Sequence, residues 1–205
     1  DSLRVLRSLS HLVLVVSFSS AQATGAPAAT DSLLAATPSA APQAVDTTPP
    51  SGLSPIEFLK EHDATVQAIL TASDTLSAAQ RAQVKEQINA IFDFEELSRL
   101  SLGEHWEQRT EPERLKFVEI YRGIIEEQNF DTFEKHYRDG KITYQTEEVT
   151  GDEAVVTAIL PLERENVPLS YLMHRSGDGW RVFDLVIDGT STAAVNRKAY
   201  SRRIA

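Results

Sequence analysis

Apolar residues recur at helical spacing from residue 54 to about residue 139, and strand-like alternation takes over after Asp139-Gly140. Ser54-Pro55-Ile56-Glu57 supplies an N-cap, a proline at the first helical position and a capping-box Glu ahead of a first helix. Ser77-x-x-Gln80 opens a second helix in the same way, with Val84, Ile88 and Ile91 on one face. Asp93 caps a third, short helix carrying Phe94, Leu97 and Leu100, which stops near Gly103. Thr110-x-x-Glu113 starts a long helix whose stripe runs through Leu115, Phe117, Val118, Tyr121, Ile124 and Ile125 to Phe130 and Phe133. So wide a stripe predicts a central helix, covered on more than one side.

Four β-like segments follow, at 141–149, 153–163, 168–175 and 180–187, with turn signals at Gly151-Asp152 and Gly177-Asp178. Pro161 and Pro168 confine the adjoining strand ends to edges or bends. A last helix is expected from Ser191 to Arg203, with Arg202 and Arg203 against its C-terminal dipole. Helices first and strands later predict an α+β domain. Its N-terminal helices and long central helix pack on a twisted antiparallel sheet of about four strands, and a C-terminal helix completes it. A tight turn at Gly177-Asp178 sets Met173 opposite Val182 and Tyr171 opposite Asp184. Simple alternation then puts Leu169, Tyr171, Met173, Val182 and Val186 on one face, and Leu172, Phe183, Leu185 and Ile187 on the other. Both faces are apolar, so both are covered, by helices or by a ligand.

The N-terminal stretch changes the picture of where the chain works. Arg4 and Arg7, the apolar run Leu12 to Phe18 and the small-x-small Ala21-Gln22-Ala23 read as a signal peptide over residues 1–23, with a buried N-terminal helix as the alternative. Residues 24–53, rich in Ala, Pro, Ser and Thr, read as a disordered linker, and 54–205 as the folded domain. The chain has no cysteine and a formal charge of −10. An exported protein without disulfides fits, and an acidic one has no broad attraction to nucleic acid or to an anionic bilayer.

Catalytic signatures are missing. There is no G-x-S-x-G, P-loop or H-E-x-x-H, and His11, His62, His105, His136 and His174 are not at metal-ligand spacing. Asp184, inside an apolar strand, is the one carboxylate out of place. It is either a structural acceptor or a general base paired with Tyr171 in an apolar pocket.

Several segments in order resemble one family. They are Phe92-Asp93-Phe94-Glu95-Glu96-Leu97, Leu102-Gly103-x-x-Trp106, Phe117-Val118, Gly179-Trp180-Arg181-Val182-Phe183-Asp184, Asp188-Gly189-x-Ser191 and Asn196-Arg197-x-x-Tyr200-Ser201-x-x-Ile204. From about Ser54 to Ile204 the chain is similar to the MlaC/toluene-tolerance family of periplasmic phospholipid-binding proteins. The resemblance implies a non-enzymatic carrier without a cofactor, monomeric in the periplasm. It would pass phospholipid between a lipoprotein complex at the outer membrane and an inner-membrane ABC transporter containing an MCE protein. A hopanoid or another hydrophobic compound is an alternative ligand. A small enzyme using Asp184 and Tyr171, or an adaptor with no cavity, would also fit an α+β chain of this kind. A carrier needs an apolar cavity between sheet and long helix. On its helical side the expected lining is Trp106, Phe117, Tyr121 and Ile124. On its sheet side it is Val156, Ala158, Leu160, Tyr171, Met173, Val182 and Val186. Arg197, Lys198, Arg202 and Arg203 form the expected partner-docking patch, with helix-dipole compensation as the alternative role.

Overall fold

The computed structural model describes residues 52–204 apart from 129, 140, 163, 164 and 178. The expected signal peptide over 1–23 and all but the last two residues of the 24–53 linker lie outside the described residues.

Several helices begin where a side chain satisfies their first free N–H groups. Ser54 and Glu57 form the reciprocal box ahead of α1 (Pro55–Thr71), and Ser77 and Gln80 do the same for α2 (Ala78–Ile91). Asp93 caps α3 (Phe94–Leu102) through the Glu96 N–H at 2.9 Å. One short turn, α4 (Glu104–Glu107), leads to α5 (Glu111–Gln128), where the Glu113 carboxylate accepts from the Thr110 N–H at 2.7 Å. The expected long helix is two helices. α5 ends at Gln128 and α6 (Phe130–Asp139) carries Phe130 into a separate cluster with Val66, Leu70, Leu76 and Val84. The stripe on α5 is also narrower than expected, because Leu115 points to solvent at 62% exposure.

The strands are β1 (Thr143–Thr150), β2 (Glu153–Pro161), β3 (Asn166–Ser176), β4 (Gly179–Ile187) and the two-residue β5 (Thr190–Ser191), in an antiparallel meander of order β1-β2-β3-β4-β5. The fifth strand was hidden in the sequence by its length. Asp188 (φ 48°) and Gly189 (φ 74°) both take positive φ, as a type I′ hairpin requires, and turn the chain back onto β4. α7 (Thr192–Ile204) follows immediately.

Met173 pairs with Val182 as expected, but Tyr171 pairs with Leu185 and Leu172 with Asp184. A β-bulge at Phe183 inserts one residue, so the alternation of β4 reverses beyond it. Leu185 and Ile187 therefore join Leu169, Tyr171, Met173 and Val182 on the core face, while Val186 turns to the second face with Asp184. On that second face α7 docks on β4. The Asp184 carboxylate, 4% exposed, accepts from the Ala193 N–H at 3.0 Å, the Leu185 N–H at 2.9 Å and the Ser191 hydroxyl at 2.5 Å. Ser191 in turn accepts from the Ala194 N–H, so one carboxylate ties the strand to the cap of the last helix.

Gly103 joins α3 to α4 at φ 55°, ψ −128°, a conformation open essentially only to glycine. The Arg197 side chain of α7 lies across it, and a Cβ there would sit 2.7 Å from Arg197 Cδ. Gly103→Ala is expected to lower the unfolding free energy by roughly 1–3 kcal/mol in a urea titration, through backbone strain and loss of that contact.

Candidate functional site

The core face of the sheet is roofed unevenly. α1 packs Phe58 and Leu59 onto it, and together with Trp180 they seal Ala154, Val156, Ala158, Met173 and Val182 into a dense core. Further along, the roof is shared by several elements. A cavity of about 100 Å³ lies there. Its floor is Leu160, Leu169, Tyr171 and Leu185 of the sheet, and one wall is Leu59 and Val66 of α1 with Ile142 and Tyr144 at the start of β1. Ile88, Ile91, Phe92, Leu97, Ile125 and Phe130 complete it from α2, the α2–α3 link, α3, α5 and α6.

Two sets of polar groups interrupt this lining. Lys85 of α2 and Glu126 of α5 form the first. The Asn89 amide donates to Glu126 Oε1 at 2.7 Å, bridging the two helices. Arg81 and Lys85 stand over the Phe130 ring, 4.9 and 5.7 Å from its centroid. The second set is Tyr137, Tyr144 and Tyr171, with Asp63 beside them. Burial pushes all three phenols well above the ordinary tyrosine range, so each keeps its proton. Burial also raises the Asp63 carboxyl, opposed by the hydrogen bond from Tyr137 and by the Lys141 charge.

That shift has a definite sign in stability. The folded pKa lies above the ordinary 3.8, so the folded state holds the proton more tightly than the unfolded chain. The favourable contribution is complete below 3.8 and is lost as pH rises through the folded value. Asp63→Asn is therefore expected to melt higher than the wild type at pH 7. The gap should close by about pH 4 in thermal scans. A gap independent of pH would contradict the burial argument.

Of the residues expected to line a cavity, Leu160 and Tyr171 do. Val156, Ala158, Met173 and Val182 share their face but are sealed in the adjacent core. Phe117, Tyr121 and Ile124 belong to a second cluster, where α5 meets Phe94 and Leu97 of α3 and Ala193 of α7. There the Tyr121 hydroxyl accepts from the Asn196 amide at 2.7 Å and bonds to Ser101 at 3.0 Å. Trp106 is buried beneath the Arg114 guanidinium, 5.2 Å from its centroid. Val186 is on the wrong face of the sheet for the cavity, because of the bulge. Arg197, Lys198, Arg202 and Arg203 are exposed along α7, with the Arg197 stem packed on Gly103.

Sequence reasoning passed over Leu59 and Val66 on α1, Ile88 and Ile91 on α2, and Tyr144 on β1. The first four show the expected helical spacing, and that face was legible, though not that it meets the cavity. Tyr144 was not, because it sits in a polar strand and reaches inward ahead of a register shift between Tyr144 and Thr146.

The Asp184 carboxylate is taken up by the Leu185, Ser191 and Ala193 donors. Tyr171 and Asp184 project from opposite faces of the sheet, which removes them as an acid–base pair. Among the described residues no group of three His, Cys, Asp or Glu could hold a metal ion, and no helix is long and apolar enough to cross a membrane.

A family model described as MlaC protein matches residues 60–205. Among solved structures, that of the phospholipid-binding protein from Ralstonia solanacearum in complex with a phospholipid is similar, with a TM-score of 0.63 and 18% identity. The similarity covers 71% of this chain and 84% of that one. Curated protein sequences offer no significant match.

Proposed function

Because this chain belongs to the MlaC family, we propose that it is a non-enzymatic lipid carrier that takes phospholipid acyl chains into the cavity between sheet and helices. The observation that carries this reading is the composition of that cavity, mostly aliphatic and aromatic and built from α1, α2, α3, α5, α6 and four strands. The phospholipid held by the Ralstonia solanacearum protein supports the choice of ligand class.

Burying methylenes contributes about 0.8 kcal/mol each, so ten of them contribute about 8 kcal/mol. Ligand cavities commonly measure roughly 300–1,000 Å³. The 100 Å³ here must therefore widen as a chain enters. The walls can part because they belong to different helices, and parting α2 from α5 would break the Asn89–Glu126 hydrogen bond between them. Each methylene taken up offsets contacts the walls give up.

The carrier works in the periplasm after export through residues 1–23, without a cofactor and as a monomer. It receives and delivers lipid by docking on protein partners, a lipoprotein complex at the outer membrane and an MCE-containing ABC transporter at the inner one. The net charge of −10, which becomes −11 when Asp1, Arg4 and Arg7 leave with residues 1–23, disfavours adsorption to anionic bilayers and leaves protein docking as the route. The exposed basic residues Arg197, Lys198, Arg202 and Arg203 are the patch we assign to an acidic partner surface.

The test is mixing with deuterated phosphatidylglycerol in detergent, followed by detergent removal and gel filtration. Lipid co-eluting with the protein at about one molecule per chain is expected. Protein that elutes free of lipid would contradict the carrier reading.

A further inference from the structure

Acyl methylenes need no hydrogen bonds, yet three phenols line the cavity: Tyr137 of α6, Tyr144 of β1 and Tyr171 of β3. A hydroxyl buried without a partner costs about 1–3 kcal/mol, so a cavity made only for hydrocarbon is better lined by Phe. The rings of Tyr144 and Tyr171 lie 6.1 Å apart, and their hydroxyls share a hydrogen bond in which either can be the donor. The Tyr137 hydroxyl donates to the carboxyl of Asp63. The Asp63 Oδ1 atom is buried and has no partner among the described residues.

The unused valences define what the cluster can bind. A phenol has one proton to give. That of Tyr137 is committed to Asp63, and the bond between Tyr144 and Tyr171 uses one of that pair's two protons. Both of these phenols line the cavity. The cluster thus offers one donor, and Asp63 Oδ1 is a spare acceptor beside it. A phosphate does not suit this place. The carboxyl of Asp63 repels it, and Lys85, the lysine lining the cavity, stands against Phe130. Phe130 and Tyr137 are two turns apart on α6, roughly 10 Å along its axis.

We propose that Tyr137, Tyr144 and Tyr171, backed by Asp63, form a hydrogen-bonding subsite inside the cavity for an uncharged oxygen of the bound lipid, an ester carbonyl or a hydroxyl, with the proton that the Tyr144–Tyr171 pair leaves unused as its donor. A carbonyl takes that proton alone. A hydroxyl also gives its own proton to Asp63. The proposal rests on the lipid-carrier reading and adds to it a polar contact that orients the ligand along the cavity.

The experiment compares two matched ligand pairs on the full chain. One pair is a diester phosphatidylglycerol and its diether analogue. The other is a triterpene alcohol and its parent hydrocarbon. Each is measured by competition against a fluorescent fatty-acyl probe with wild type, Tyr171→Phe, Tyr144→Phe and the double variant. In at least one pair the wild type is expected to prefer the oxygen-bearing member by about fivefold, the ordinary worth of one hydrogen bond. The pair that shows the preference identifies the source of the oxygen. The double variant is expected to erase that preference while binding the other member as the wild type does, and either single change to weaken it, since the remaining phenol loses the partner that orients it. No preference in either pair overturns the subsite. So does a preference that survives the double variant, or an equal loss for both members of a pair, which reports packing only. If the double variant does not fold, the wild-type and single-variant preferences decide. Failure of the wild type to bind any of the four ligands overturns the carrier reading, and the subsite with it.

Discussion

Ile125→Trp is expected to reduce phospholipid loading more than tenfold while leaving a folded protein. Ile125 lines the cavity from α5 and is only half-buried, so a larger side chain can enter the cavity without being forced into the sealed core. An indole takes the place of roughly three methylenes of ligand, worth about 2 kcal/mol at 0.8 kcal/mol each, and 1.4 kcal/mol is already tenfold. Val155→Trp is the matching control. Val155 is 37% exposed and alternates with the buried residues of β2, so its side chain lies on the second face of the sheet. Loading by this variant should equal that of the wild type. Loading measured by lipid extraction, with circular dichroism as the check on folding, separates the two. Equal loading by Ile125→Trp and wild type would remove the cavity from the account.

Asp184→Ala is expected to cost roughly 3 kcal/mol or more of unfolding free energy, since three donors then lose an acceptor that is itself buried. The Ala193 N–H loses most, because it lies in the first turn of α7, where no helical carbonyl can replace the carboxylate. Asp184→Asn keeps one acceptor oxygen and should fall between the two. Urea titration of the three proteins gives the order. An Asp184→Ala variant as stable as the wild type would mean that α7 is held by its apolar contacts alone.

What could be read in the sequence was local. Ser54, Ser77 and Asp93 cap their helices where the capping spacing placed them, since each cap satisfies N–H groups three residues away. The β3–β4 hairpin was legible as far as Met173 and Val182, because the turn at Gly177 fixes that part of the register. Beyond Val182 the alternation failed. Phe183, Leu185 and Ile187 are all apolar, and nothing local distinguishes a regular strand from one with a bulge at Phe183. The consequence was large. The bulge put Leu185 in the cavity and Val186 outside it, and set Asp184 across the sheet from Tyr171. The pattern on α5 promised one long central helix lining the cavity. Instead Phe117, Tyr121 and Ile124 pack on α3 and α7, and Ile125, one residue on, is among those that reach the cavity. Which side of a wide stripe meets a cavity is a tertiary fact, set by helices distant in sequence. The same holds for Leu59, Val66, Ile88 and Ile142, which form a wall only after α1, α2 and β1 have come together.

The central claim is that the cavity between sheet and helices holds lipid. Native mass spectrometry of the protein, purified without detergent from cells that export it, tests this most directly. A main species heavier than the bare chain by the mass of one lipid is expected, with that lipid recovered on organic extraction and its share falling sharply in Ile125→Trp. A wild-type protein that flies only at its bare mass and yields no lipid on extraction would contradict it.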